Sequence, residues 1–213
     1  MHLTGPLVDF VDACSDRSST PGGGAAAAVV GALGAALGEM AAAFSGRNNR
    51  SKSAKSGDSG RIAAGIEDLC RIREALLPLV ESDCEAYGKV RKTLAMPRNS
   101  PRETKERTAL LQEALKGALE VPLRAARLCV QGLEIVNAIA GVVNPNLITD
   151  AAASALFLGA CYRASWYNVK VNLRSIKDRE FAGSVTAEGE SMAARVAVLE
   201  SSILGTADAA LNR

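Results

Sequence analysis

The sequence predicts an all-α fold: a single domain over residues 1–213, a bundle of about six helices, several of them long, around a buried Ala/Gly-rich central helix. Three observations carry this. Apolar residues recur at spacings of three, four and seven along most of the chain, the period of an amphipathic helix. No stretch alternates apolar and polar residues as a half-buried strand does, and no internal repeat is visible. Aromatic residues make up 4% of a chain that is 48% hydrophobic, so the core must form by close approach of alanine- and glycine-bearing backbones.

A short amphipathic helix, 7–13, opens the chain, and Ser18-Ser19-Thr20-Pro21-Gly22-Gly23-Gly24 ends it. The next run, 25–44, is apolar on nearly all sides and long enough to span a bilayer. Its alanines and glycines drive insertion weakly, and Glu39 falls inside it. Gly31, Gly34 and Gly38, with Ala27, Ala35 and Ala42, instead place small residues at helical spacing, the mark of a helix buried in protein. Residues 45–58 are polar and rich in glycine and serine, with Arg47, Arg50, Lys52 and Lys55, and are expected to form a surface loop. One long helix, 61–94, carries the stripe Ile62, Ile66, Leu69, Leu76, Val80, Asp83, Tyr87, Val90, Leu94. Met96 to Pro101 breaks it. The helix over 102–139 buries Leu111, Leu115, Ala118, Pro122, Ala126, Cys129, Leu133 and Val136, with a kink expected at Pro122. After the Asn144-Pro145-Asn146 turn, Thr149 or Asp150 is expected to cap a helix reaching Arg174. A last amphipathic helix buries Met192, Val196, Leu199 and Ile203.

Composition narrows the function classes. Net charge is +2 with the two signs interspersed, and no basic tail or basic-aromatic patch points to nucleic acid. Residues 1–6 lack the positive and apolar regions of a secretory signal. Five dispersed cysteines without CxxC spacing read as reduced thiols of a cytoplasmic protein. The single histidine, His2, sits at the chain end, so carboxylates, lysine, tyrosine and backbone groups are left to do any acid–base chemistry.

Three places can hold such chemistry. Asp83 interrupts an apolar stripe, and a carboxylate there is desolvated and titrates above its usual range; alternatively Cys84 takes the inward slot and Asp83 stays at the boundary. Thr20-Pro21-Gly22-Gly23-Gly24 precedes the central helix, whose free N–H groups and partial positive charge suit an anionic or carbonyl-bearing ligand. The Gly-Lys-Ser/Thr element of a phosphate loop is missing, and the glycines serve close packing equally well. Asn168 and Asn172 share one helix face and need partners if buried; Asn144, Asn146 and Asp150 lie upstream, and Arg174 and Lys177 close the segment.

With Asp83-Cys84-Glu85-Ala86-Tyr87, Pro97-Arg98-Asn99, Gln112-Glu113-Ala114-Leu115, Val121-Pro122-Leu123, Asn144-Pro145-Asn146, Thr149-Asp150 and Asn168 to Asp178 in this order, the sequence resembles the cyclodeaminase/cyclohydrolase family. That family comprises the C-terminal half of formiminotransferase-cyclodeaminase and stand-alone bacterial methenyltetrahydrofolate cyclohydrolases. The resemblance spans residues 6 to 205. It implies a helical homodimer that takes a tetrahydrofolate derivative as substrate, with no metal or nucleotide. It makes Asp83 the proton-transferring residue, and Pro21, Gly22, Gly23, Gly24, Tyr87, Asn146, Asp150, Asn168 and Asn172 the folate-binding surface.

The sequence departs from the family pattern at Val143, at Thr149, at Tyr87 and over the 45–50 loop. A chain without a formiminotransferase half is expected to be a cyclohydrolase. The alternatives are a formimidoyltetrahydrofolate cyclodeaminase working with a separate formiminotransferase, and an inactive helical scaffold.

Overall fold

The computed structural model describes residues 5–48 and 56–212. His2 and the Arg50, Lys52 and Lys55 of the expected loop lie outside them. Among the described residues there are seven α-helices and no strand: α1 Leu7–Ser15, α2 Gly23–Asn48, α3 Ser56–Leu76, α4 Leu79–Leu94, α5 Pro101–Ala140, α6 Ile148–Leu173 and α7 Arg179–Leu211. A 3-10 turn, Pro145–Leu147, leads into α6.

The seventh helix arises at Pro78. The expected helix over 61–94 divides there into α3 and α4, because proline has no N–H for the helical ladder and its ring crowds the preceding turn. The apolar stripe runs through this break undisturbed, with Leu76 and Val80 both fully buried. The 45–58 loop is also shorter than expected, since α2 continues to Asn48 and α3 begins at Ser56. Ser45 is helical and buried. Its hydroxyl donates to the Ala41 carbonyl (2.6 Å) and accepts from the Asn144 N–H (2.7 Å), tying the far end of α2 to the turn before α6.

Helix starts follow local chemistry. Ser100 and Glu103 form a reciprocal capping box at the head of α5, with Pro101 at the first helical position. Asp178 caps α7 by accepting from the Phe181 N–H (3.1 Å). The start of α6 corrects the expected cap at Thr149 or Asp150: Asn144 accepts from the Asn146 N–H (3.0 Å), and both later residues are already inside the helix.

Helix α2 lies at the centre, packed chiefly on α6 and α3. It runs antiparallel to α6. A methyl group on Gly31 would lie 2.7 Å from Cys161 Sγ, one on Gly34 3.0 Å from the Leu158 nitrogen, and one on Gly38 2.8 Å from Ser154 Oγ. The two helices therefore touch backbone to side chain, and Ser154 donates a hydrogen bond directly to the Gly34 carbonyl (2.6 Å). Glu39, the one charge in the apolar run, pairs with Arg73 of α3 (3.0 Å). By length and composition α2 could cross a membrane, yet Ala25, Ala28, Ala35, Ala41 and Ala42 are buried against its neighbours. One face stays open, with Leu33, Met40 and Phe44 exposed beside Leu156 and Phe157 of α6.

Two apolar clusters form the core. The larger joins α5, α6 and α7 through residues such as Leu119, Leu133, Leu158 and Ile203. The smaller joins the first half of α2 to the end of α3 and the start of α4. The stripes expected on α5 and α7 are inside: Leu115, Ala118, Ala126, Cys129, Leu133 and Val136, then Met192, Val196, Leu199 and Ile203. Helix α5 runs unbroken through Pro122.

Candidate functional site

Four elements converge on a cavity of about 290 Å³. The loop before α2 supplies Ser19, Thr20 and Gly22, with Gly23 and Gly24 beginning the helix. From α4 come Asp83, Tyr87 and Val90, at spacings of four and three. Helix α5 contributes Ala118 and Pro122, and α6 contributes Asn168, Val171 and Asn172. Each helix presents one face because residues three or four apart stack along it.

Asp83 occupies the inner wall. Its Oδ2 accepts from the Ala25 N–H (3.1 Å) in the first turn of α2. Burial pushes the Asp83 carboxyl above the ordinary carboxylate range, and the bond from Ala25 pulls it part of the way back. Cys84, next in sequence, turns the other way and packs against the smaller core cluster. The two residues thus divide the roles left open by the periodicity, Cys84 facing the apolar core and Asp83 the cavity. Burial and the neighbouring Asp83 charge hold the Cys84 thiol above its usual value.

None of the glycines has a positive φ, so the Gly22-Gly23-Gly24 run is not needed for a left-handed turn. At Gly24 the reason is contact: a methyl group there would strike the Asp83 carboxylate, with Cγ 2.6 Å away. Methyl groups on Gly22 and Gly23 would make ordinary contacts, 3.9 Å from the Ser19 carbonyl and 3.7 Å from Asn168 Nδ2. Pro21 is buried beneath the loop and does not line the cavity. The loop is held by two hydrogen bonds, Arg91 Nη1 to Ser19 Oγ and Ser18 Oγ to the Thr20 carbonyl, both 2.8 Å.

On α6, Asn168 and Asn172 direct their amide nitrogens back to the carbonyls of Ala164 and Asn168 (3.0 Å each). Each amide keeps a second N–H and its carbonyl oxygen for other partners, and both residues line the cavity. Asn146 and Asp150 are elsewhere. Asp150 is 18 residues before Asn168 on the same helix, about 27 Å along its axis. Asn146, exposed, lies beyond it in the 3-10 turn. The structure therefore brings together Asp83, Tyr87, Asn168, Asn172 and the glycines, and leaves Asn146 and Asp150 at the opposite end of α6. Ser19, Val90, Ala118, Pro122 and Val171 are walls that sequence reasoning did not assign to a site. The i, i+4, i+7 relation of Val90 to Asp83 and Tyr87 was the available signal for the first helix face.

A larger cleft of about 590 Å³ lies between α3 and α5, lined by Asp68, Arg71, Ile72, Leu128 and Glu134 among others. Arg71 and Asp68 already pair with each other there. The smaller cavity alone joins a desolvated acid, a helix N-terminus and two amides. Among the described residues no cluster of three or more His, Cys, Asp or Glu is placed to hold a metal ion.

Known proteins resemble this chain over most of its length. The family model described as formiminotransferase-cyclodeaminase matches residues 6–191. A methenyltetrahydrofolate cyclohydrolase of Methylorubrum extorquens is 32% identical over 203 residues, 95% of this chain and 96% of its own. The formimidoyltransferase-cyclodeaminases of Gallus gallus and Rattus norvegicus are each 30% identical over 179 residues, 84% of this chain but 32% of theirs. The chain thus spans about a third of those proteins. The crystal structure of a formiminotetrahydrofolate cyclodeaminase from Thermotoga maritima superposes with a TM-score of 0.85 at 29% identity, covering 98% of both chains.

Proposed function

The chain belongs to the formiminotransferase-cyclodeaminase family, and from that premise we propose that it hydrolyses 5,10-methenyltetrahydrofolate to 10-formyltetrahydrofolate, with Asp83 as the proton-transferring group. It is an enzyme of folate one-carbon chemistry, of the cyclohydrolase/cyclodeaminase class. The match to a methenyltetrahydrofolate cyclohydrolase, which covers 95% of this chain and 96% of that relative, supports the choice of reaction.

In this reaction water adds to the cationic carbon that bridges N5 and N10. The Asp83 carboxylate takes a proton from the attacking water, leaving a neutral carbinolamine. The bond from this carbon to N5 then breaks, the acid form of Asp83 returns the proton to N5, and the carbinol proton leaves to solvent as the formyl C=O forms. Desolvation suits Asp83 to both steps: a raised pKa makes it a better base toward water and brings its acid form nearer to neutral pH. Before attack the carboxylate also stands as counter-charge to the cationic bridge. Asn168, Asn172, Tyr87 and the Gly22–Gly24 backbone line the space for the reduced ring system, and none of these steps draws on a metal or nucleotide. General acid–base help of this kind contributes roughly 10²–10⁴ in rate.

The second reading, closure of formiminotetrahydrofolate with release of ammonia, is favoured by the end-to-end likeness to the Thermotoga cyclodeaminase. A separate formiminotransferase would then supply the substrate. Loss of the near-ultraviolet methenyl band on mixing with purified protein, beside Asp83→Asn, tests the hydrolytic reading. Decay no faster than in buffer refutes it, and ammonia release from formiminotetrahydrofolate then decides for the second.

The same reading includes a cytoplasmic homodimer. The free state of Cys14, Cys70, Cys84, Cys129 and Cys161 supports a reducing compartment. The exposed Leu33, Met40, Phe44, Leu156 and Phe157 face supports self-association. Light scattering of the purified chain tests the dimer.

A further inference from the structure

Pro122 is an anomaly in α5. It stands in the interior of a 40-residue helix, where proline is the most disfavoured residue, and yet the helix continues on both sides. A proline at this position has no N–H to give to the carbonyl four residues earlier, that of Ala118. Both Pro122 and Ala118 line the cavity that holds Asp83. The one carbonyl on α5 deprived of its helical i+4 donor by proline therefore belongs to a residue of the site wall.

We propose that the Ala118 main-chain carbonyl is a substrate-positioning acceptor, kept available by Pro122 for an N–H donor on the bound ring. This rests on the folate reading above. The two amides of the cavity can meet the same ligand groups. Asn168 and Asn172 each give one amide N–H to their own helix, and their side-chain oxygens remain able to accept from a ligand. A reduced pterin, whose aminopyrimidinone edge and ring nitrogens are rich in N–H groups, supplies donors to such a wall. Held by these acceptors, the ring is oriented so that its one-carbon bridge meets Asp83.

Any residue other than proline at 122 restores the N–H and engages the Ala118 carbonyl within the helix. Pro122→Ala and Pro122→Val do so with a smaller and a similar side chain. With 5,10-methenyltetrahydrofolate as substrate, both should raise KM about three- to tenfold, the value of one lost hydrogen bond. Both should melt no lower than wild type, because a helix gains from the restored bond. Fold stability and substrate binding then move in opposite directions, which a merely structural proline cannot produce. An unchanged KM in both variants overturns the proposal, as does a rise confined to Pro122→Ala, which would make the ring's bulk the cause. If wild type converts neither methenyl- nor formimino-tetrahydrofolate, the substrate assignment has failed and this inference falls with it. Turnover by wild type with unaltered KM in both variants removes only the role of the carbonyl.

Discussion

Replacing Gly24 by alanine puts a methyl group where the Asp83 carboxylate now lies. The new Cβ would sit 2.6 Å from Asp83 Cγ and 2.7 Å from Oδ2, against 3.4 Å or more for an ordinary contact. With Oδ1 the nearest atom, the carboxylate must retreat by about 1 Å, taking the 3.1 Å distance of its bond from the Ala25 N–H beyond hydrogen-bonding range. Losing a hydrogen bond to a charged group costs about 1.5–3 kcal/mol. Alanine in place of glycine inside a helix returns roughly 0.5–1 kcal/mol. The net loss of about 0.5–2.5 kcal/mol lowers Tm by roughly 1–10 °C in a chain of this size, too little to unfold it at room temperature. The rate should suffer far more, since displacing a catalytic group by about 1 Å costs on the order of 10²-fold. Steady-state decay of the methenyl band gives kcat, and thermal melting followed by circular dichroism gives Tm. Gly22→Ala and Gly23→Ala, which meet only ordinary contacts, should reduce kcat roughly tenfold less than Gly24→Ala, or better. A Gly24→Ala protein whose kcat stays near wild type refutes the claim that this contact sets the position of Asp83.

Further outcomes follow from other parts of the molecule. Asp83→Asn should lower kcat by roughly 10²–10⁴ and abolish the acid limb of the pH–rate profile, which in wild type reports a carboxyl titrating above 3.8. Because folding raises this pKa, the Asp83 carboxylate contributes less to stability as pH rises from its unfolded to its folded value. Asp83→Asn should therefore melt no lower than wild type at pH 7. Asn168→Ala should raise KM about five- to tenfold through the lost acceptor. Asn146→Ala, about 27 Å or more from the cavity along α6, should leave kcat/KM unchanged, and a large loss would show that a second copy brings this turn to the site. Gly189→Ala, whose methyl would strike the Trp166 ring, should lower stability by about 1–3 kcal/mol in a melting experiment, with kcat per folded molecule preserved.

The periodicity of the sequence was enough to determine the helical class, the buried faces of α5 and α7 and the small-residue face of α2. Helix formation and burial are local or nearly local properties, written into the chain at intervals of three and four residues. The break over Met96 to Pro101 belongs to the same register. Asp83 also stood out locally, as a charge on an apolar stripe, and Asn168 and Asn172 stood out as two amides on one face. Pro78 was not legible as a boundary, because the spacing of Leu76 and Val80 continues across it. What only the tertiary structure decided is which of these faces meet. Asn146 and Asp150 are close to Asn168 in a list of motifs, but an unbroken helix of 26 residues separates the turn and first residues of α6 from its last ones. Gly24 differs from Gly22 and Gly23 only because α4 lays a carboxylate on its Cα. Ala118 and Pro122 read as core residues until the neighbouring helices leave a cavity beside them. A repeating pattern records which side of a helix avoids water; the neighbour that side finds depends on the crossing of helices far apart in the chain.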